Sequence, residues 1–210
     1  MSLREDLPLR WWTPDTWAPF VLREPLKLLN DHAHLERKAA TNALELLLRW
    51  PDPVPPEGWV QAMNGVAIDE VAHLNTVSRL LARRGGRLMR IHRTPYAGAL
   101  RGLVRAGHGP MELVDRLLVS ALIEARSCER FRLLADAAAP EDEELARLYA
   151  GLYQSEAGHY RVFLKLAKEL PRAQEWEVDA RWGKLLDNEA EIARTQAPGP
   201  LMHSGPPPEG

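Results

Sequence analysis

Two short strings in this 210-residue chain set a carboxylate and an imidazole three residues apart: Glu70-Val71-Ala72-His73 and Glu156-Ala157-Gly158-His159. On a helix, positions i and i+3 share a face, so each string turns its two groups the same way. One such string is weak evidence, because a chain of this size carries one by chance roughly every second time. The surroundings add the weight. Glu36 lies 34 residues before Glu70, and Glu124 lies 32 residues before Glu156. Glu36 and Glu124 are 88 apart, while the two motif glutamates and the two motif histidines are each 86 apart. One ligand pattern therefore occurs twice, in two helical hairpins. A Glu from each of two helices and a Glu-x-x-His from each of two others is the donor set of di-iron and di-manganese carboxylate bundles. Glu36, Glu70, His73, Glu124, Glu156 and His159 offer four carboxylates and two imidazoles. That set suits two iron or manganese ions and leaves coordination positions open for water or dioxygen.

Helical neighbours point these groups inward. Glu36 shares its face with Leu29, Ala33, Ala39, Ala40 and Ala43, and Glu70 with Val66, Ala67, Leu74 and Val77. Glu124 keeps company with Leu117, Ala121, Ser127, Cys128 and Phe131, and Glu156 with Leu152, Tyr153 and Tyr160. A glutamate on such a face is costly to bury unless a cation pairs with it. Glu129 competes with Glu124 for the third carboxylate position. The two are five residues apart and point about 140° from one another, so only one can face the site. Glu129 is flanked by Arg126, Arg130 and Arg132 and lies only 27 residues before Glu156; an ion pair suits it better, and Glu124 is the expected ligand. His32, one turn before Glu36, could reach the metal rim or a substrate, but a partly exposed polar histidine is the expected reading. Asp69 and Ser155 precede the motif glutamates and are candidates to orient them. Cys128 reads as a small buried thiol.

Long stretches rich in Leu, Ala, Glu and Arg must carry these residues, and all four are good helix formers. Pro14, the Pro51 to Pro56 cluster, Gly85-Gly86, Gly107 to Pro110, Pro140 and Pro171 punctuate them. The expected elements are a short helix over 14–23, long helices over 24–49, 57–84, 111–138 and 141–169, and a more polar helix over 173–196. No period-two run of β-branched residues suggests a sheet. Segment 85–110 is too long for a hairpin turn, and one long crossover between paired helices is the ferritin-like arrangement. The expected fold is all-α: a ferritin-like four-helix bundle with short N- and C-terminal flanking helices. A single domain over 1–197 would be followed by a Pro/Gly-rich tail over 198–210, extended or disordered.

Composition excludes other classes. Apolar residues make up 45% and charged residues 27%, an ordinary globular mix. No apolar run is long enough for a membrane span, and the N-terminus lacks the apolar core of a secretory signal. One cysteine rules out a disulfide framework within the chain and a thiolate-rich zinc site. These features fit a cytoplasmic protein. The formal net charge of −2 argues against a general polycation, yet residues 79–105 hold Arg79, Arg83, Arg84, Arg87, Arg90, Arg93, Arg101 and Arg105, with no acid until Glu112. Such a stripe could neutralise phosphates. It could equally be a solvated loop paired with the acidic residues at 141–144. His92, Tyr96 and His108 could stack on bases or bond to them.

Several strings resemble one family. Asp31-His-Ala-His-Leu-Glu-Arg-Lys-Ala-Ala40, Asp115-Arg-Leu-Leu118, Ile123-Glu-Ala-Arg-Ser-Cys-Glu-Arg-Phe131, Ser155-Glu-Ala-Gly-His159 and His203-Ser-Gly205 look like signature segments of the tRNA 2-methylthio-N6-isopentenyladenosine-37 hydroxylases, the MiaE family. The resemblance runs over roughly residues 14–205. It implies a non-haem di-iron monooxygenase that hydroxylates the isopentenyl group on adenosine 37 with dioxygen and two electrons from an external donor. Carried over, Glu36, Glu70, His73, Glu124, Glu156 and His159 would hold the irons, with Glu70 and Glu156 bridging. The partners would be the tRNA anticodon stem-loop and an electron-transfer protein, with Arg83, Arg84, Arg87, Arg90 and Arg93 against the RNA. A ferritin-like protein that oxidises iron or consumes peroxide is the alternative reading of the same ligands.

Overall fold

The computed structural model describes residues 6–93, 95–171 and 173–208; the ends of the N-terminal stretch and of the Pro/Gly tail lie outside the described residues. The helices are α1 (Trp17–Val21), α2 (Pro25–Leu47), α3 (Glu57–Arg83), α4 (Pro95–Arg101), α5 (Pro110–Ala138), α6 (Glu143–Glu169) and α7 (Val178–Thr195), with a 3-10 turn at Ala173–Trp176 before α7. No strand occurs among the described residues. The four long helices match their expected spans to within about two residues. Three elements differ. The short helix expected over 14–23 is confined to Trp17–Val21. The expected 173–196 helix is broken at Glu177, whose φ of 46° lies in the left-handed region and cannot continue a helix. The crossover contains α4, too short for periodicity to reveal, which buries Tyr96, Ala97 and Leu100.

The chain folds as two compact units, one of Glu24–Arg93 and one of Met1–Arg23 with Thr94–Gly210. The smaller unit is the α2/α3 hairpin. Pro25 opens α2 with its φ already helical. Its buried face includes Leu28, Leu29, Ala33, Ala40, Ala43 and Leu46, and α3 buries Trp59, Met63, Val66, Ala67, Val77, Leu80 and Leu81. The Trp59 indole donates to the Leu47 carbonyl at 3.1 Å, satisfying an orphan acceptor at the end of α2. At the end of α3, Gly85 N bonds Ala82 O at 3.0 Å and Gly86 N bonds Leu81 O at 2.9 Å. This is a Schellman stop, and it needs the φ of 81° that Gly85 adopts without strain.

In the larger unit α5 is buried nearly all round, and α6 packs along it as the second hairpin. Asp142 caps α6 by accepting from Leu145 N at 3.0 Å, with Glu143 and Glu144 in the first turn. Helices α1, α4 and α7 also pack on α5. The tail has no regular structure, yet Met202, His203, Ser204 and Gly205 are buried. Ser204 Oγ accepts from the Trp17 indole at 3.0 Å, and Ser204 O accepts from Arg130 Nη2 at 3.1 Å. The His203 ring stacks on Tyr96 at 4.5 Å. Gly205 N bonds Ala197 O at 3.0 Å, and a Cβ at Gly205 would fall 1.8 Å from the Gln196 carbonyl oxygen. The His203-Ser-Gly205 string is thus a tether that closes the core of this unit.

Asp115 ties the crossover to α5 and α7. It is fully buried and accepts from Arg105 N, Nε and Nη2 at 2.9, 2.9 and 2.7 Å, and from Arg181 Nε and Nη2 at 2.8 and 2.9 Å. Burial pushes its carboxyl up, but the hydrogen bonds from Arg105 and Arg181 outweigh that and hold it below its ordinary range. A depressed carboxylate contributes stability above its unfolded value, and that contribution is lost as pH falls through the folded one. Denaturant melts of wild type and Asp115→Asn should therefore differ by about 3 kcal/mol at pH 7. The gap should narrow as pH drops below about 4; a gap that stays constant down to pH 2 would refute the assignment.

Candidate metal centre

In the Glu24–Arg93 unit, three of the expected ligands come together. Glu36 on α2 and Glu70 on α3 are 4% and 1% exposed. His73, one turn beyond Glu70, sets its Nδ1 3.5 Å from Glu70 Oε2 and 3.7 Å from Glu36 Oε2. One ligand atom from each of the three lies within 4.8 Å of the others. Small and β-branched residues flank them, so the helices approach closely and water is displaced: Ala33, Ala40 and Ala43 on α2, Val66, Ala67 and Val77 on α3. His32 Nε2 meets Glu36 Oε1 directly. The expectation of a partly exposed His32 is corrected, since it is 1% exposed; the i, i+4 step on a buried stripe places it there.

In the larger unit, Glu156 and His159 on α6 are both buried, with His159 Nδ1 3.1 Å from Glu156 Oε2. Glu124 is buried on α5. Cys128, one turn further, registers both carboxylates: burial first, then the charges of Glu156 and Glu124, push its thiol strongly upward. It stays a neutral thiol in a cluster with Leu7, Leu9, Ala125 and Ala157, against which Trp12, Tyr153 and Tyr160 pack. Glu129 takes the ion-pair role its flanking arginines suggest. It accepts from Thr13 N at 2.6 Å, Thr13 Oγ1 at 2.8 Å and Arg126 Nη1 at 2.6 Å.

The donor chemistry fits a divalent metal. Two buried carboxylates within 4.8 Å of each other repel by on the order of 3 kcal/mol at an effective dielectric of 20. A cation between them turns that repulsion into attraction. Oxygen donors with one imidazole are hard-to-borderline ligands, suited to iron or manganese and poorly suited to copper(I). His73 is the more open ligand, its side chain 13% exposed.

Other expected residues lie elsewhere. Asp69 is exposed and Ser155 half-buried. Arg83, Arg87, Arg90 and Arg93 are exposed and Arg84 is half-buried, whereas Arg105 is committed to Asp115. Helical periodicity gives no sign of the buried polar network around Arg126. Arg126 Nε and Nη2 donate to Glu189 Oε1 and Oε2 at 2.7 and 2.8 Å, and Tyr96 OH donates to Glu189 Oε1 at 2.9 Å. Burial works against the Arg126 charge, but Glu129 and Glu189 more than offset it and hold the guanidinium protonated. Arg130, with its guanidinium 4.0 Å from the Trp17 ring centroid, is pulled down to about 9, by burial above all. The signal in the sequence is Glu129 flanked by Arg126 and Arg130 on an apolar helix, which points to the ion pair but not to Glu189 or Tyr96.

A family model described as tRNA-(MS[2]IO[6]A)-hydroxylase (MiaE) matches residues 4–204. The chain is 45% identical over 155 residues to the tRNA 2-(methylsulfanyl)-N(6)-isopentenyladenosine(37) hydroxylase of Pseudomonas putida, covering 74% of this chain and 72% of that protein. It is 34% identical over a gapped alignment of 245 positions to the protein of the same name from Salmonella typhimurium, covering 94% of this chain and 88% of that protein. Among solved structures, Protein 43 with aldehyde deformylating oxygenase activity from Synechococcus superposes with a TM-score of 0.83 at 32% identity, over 94% of this chain and 96% of that one. The all-helical fold is thus of the ferritin-like kind. No helix among the described residues is long and apolar enough to cross a membrane. With the family model spanning nearly the whole chain and both Glu-x-x-His helices burying their glutamates, the chain belongs to the MiaE family of tRNA hydroxylases.

Proposed function

We propose that this protein hydroxylates the isopentenyl side chain of 2-methylthio-N6-isopentenyladenosine at position 37 of tRNA, in the cytoplasm, as a dioxygen-dependent monooxygenase. Its family membership supports the reaction class. The observation that carries the chemistry is the buried trio Glu36, Glu70 and His73. With Glu124, Glu156 and His159, these residues would hold two iron ions, with manganese the other metal such donors accept. On this reading residues 1–197 work as one domain. When bound, the metal pair supplies the activation of dioxygen, with two electrons from an external donor protein.

The chain's own residues do the rest. Four glutamates balance the charge of two divalent ions. His32 bears on Glu36 Oε1 and holds that carboxylate in one orientation. Burial of the ligands excludes bulk water, which would otherwise quench an oxidant before substrate arrives. Adenosine 37 would have to leave its stack to reach the site, with Arg83, Arg84, Arg87, Arg90 and Arg93 against the anticodon stem-loop.

Nucleoside analysis of tRNA tests the reading. A deletion strain should accumulate the unhydroxylated nucleoside, and the complemented strain should restore the hydroxylated one. Unchanged levels in both strains would reject it.

A further inference from the structure

Three residues of the Asp31–Ala40 segment play no part in the proposed reaction, and they share a face of α2. Asp31, His34 and Lys38 stand at i, i+3 and i+7, a stripe distinct from that of His32 and Glu36. All three hold the same stretch of chain, which follows the Gly85-Gly86 stop. His92 Nε2 bonds Asp31 Oδ1 at 2.5 Å, and His92 Nδ1 accepts from Lys38 Nζ at 2.9 Å. Lysine can only donate, which assigns the proton of His92 to Nε2. His34 Nε2 donates to the Met89 carbonyl at 2.6 Å, and Asn30 Oδ1 accepts from Met89 N at 2.8 Å. The His34 and His92 rings stack at 4.6 Å with planes 6° apart. Backbone and side chain of a segment without helix or strand are thereby fixed at Met89 and at His92.

The clamped segment displays a mixed surface. Arg87, Arg90 and Arg93, spaced three apart, are exposed. None of the three forms an ion pair with another described residue. Between them Leu88, Met89 and Ile91 are 46, 61 and 80% exposed. Guanidinium groups interleaved with exposed apolar side chains suit a ligand that offers both phosphates and flat apolar faces, which is the chemistry of a single-stranded RNA loop.

We propose that the clamp formed by Asn30, Asp31, His34, Lys38 and His92 is a positioning device for RNA. It holds residues 87–93 in one conformation, so that Arg87, Arg90 and Arg93 meet the anticodon loop already ordered. The inference rests on the tRNA reading above. A loose segment would lose conformational freedom on binding, and the clamp removes that cost beforehand. Positioning and direct RNA binding then have separate signatures. Losing an arginine removes a phosphate interaction and flattens the salt dependence of binding. Losing the clamp leaves every arginine available and changes the affinity at constant salt slope.

The test is fluorescence anisotropy of a labelled anticodon stem-loop RNA against the metal-loaded full chain over a series of salt concentrations. Arg90→Ala with Arg93→Ala should weaken binding and lower the slope of log K against log salt by about 0.7–0.9 for each phosphate interaction removed. His92→Ala and Asn30→Ala, both neutral changes, should weaken binding about ten-fold or more with the slope retained. Hydrogen exchange of amides 88–93 should accelerate, and His92→Gln, which keeps a donor for Asp31, should restore part of the affinity. If the arginine variant weakens binding and both clamp variants bind as wild type, the clamp proposal fails and the RNA reading survives. If the arginine variant binds as wild type, RNA binding by this segment is itself overturned. Asn30 lies on the half-buried surface of α2, so Asn30→Ala remains an informative variant should His92→Ala fail to fold.

Discussion

Glu70→Gln is expected to abolish hydroxylation and at the same time to make the metal-free protein more stable. Glu70 is almost completely buried, and His73 Nδ1 lies within 3.7 Å of carboxylate oxygens of both Glu70 and Glu36. Without a cation, two carboxylates in one buried pocket repel; glutamine keeps the shape and removes one charge. The apo variant should melt higher than apo wild type by a few degrees, corresponding to roughly 1–2 kcal/mol. With metal the order reverses. Wild type gains stability by binding in proportion to the logarithm of metal over Kd, whereas the variant has lost an anionic ligand and should gain little. Hydroxylation of substrate RNA should fall by at least ~10²-fold, since even residues that only orient a ligand are worth 10–100-fold. On the proposed two-metal reading, elemental analysis should fall from two metals per chain in wild type to one or fewer in the variant. Full metal content and wild-type turnover in Glu70→Gln would remove Glu70 from the centre.

Glu189→Leu should be the most destabilising single change outside the metal ligands. Glu189 is completely buried on α7 and takes both prongs of the Arg126 guanidinium as well as the Tyr96 hydroxyl. Removing it leaves Arg126 buried with only Glu129 to balance it, while Arg130 sits nearby under the same desolvation. Breaking a buried ion pair from one side costs about 3–5 kcal/mol, and for a chain of this size that lowers Tm by roughly 10 °C. The paired change Arg126→Met with Glu189→Leu should recover a substantial part of the loss, because no guanidinium is then stranded. A double-mutant cycle reads the coupling directly. If the single and paired variants were equally destabilised, packing rather than charge would account for the effect. Metal content should be unaffected in the paired variant, which separates this network from the ligands.

Much of the candidate site is legible in the sequence. The helices of Glu36, Glu70, Glu124 and Glu156 follow from composition and punctuation, and their inward faces follow from apolar neighbours three and four residues away. The preference for Glu124 over Glu129 rests on angular arithmetic and flanking arginines. Its physical counterpart is Thr13, which lies 116 residues before Glu129 in the chain and donates two hydrogen bonds to it. The arginine stripe is only partly legible. Arg105 looks like its neighbours, yet it closes on buried Asp115, while Arg87, Arg90 and Arg93 stay exposed.

What the amino-acid order determines unaided is local: helix period, stop signals, and which residues share a stripe. Those properties depend on neighbours within one or two turns, so they survive in the one-dimensional record. The tertiary structure alone decided that His203-Ser-Gly205 is a buried tether and that Glu189 neutralises Arg126. It also decided that Asp31, His34 and Lys38 hold Met89 and His92. Each of these is a directional interaction between residues separated by some 55–190 positions. A hydrogen bond needs its partners within about 3 Å and aligned, and no periodicity along the chain encodes which distant residue will arrive there.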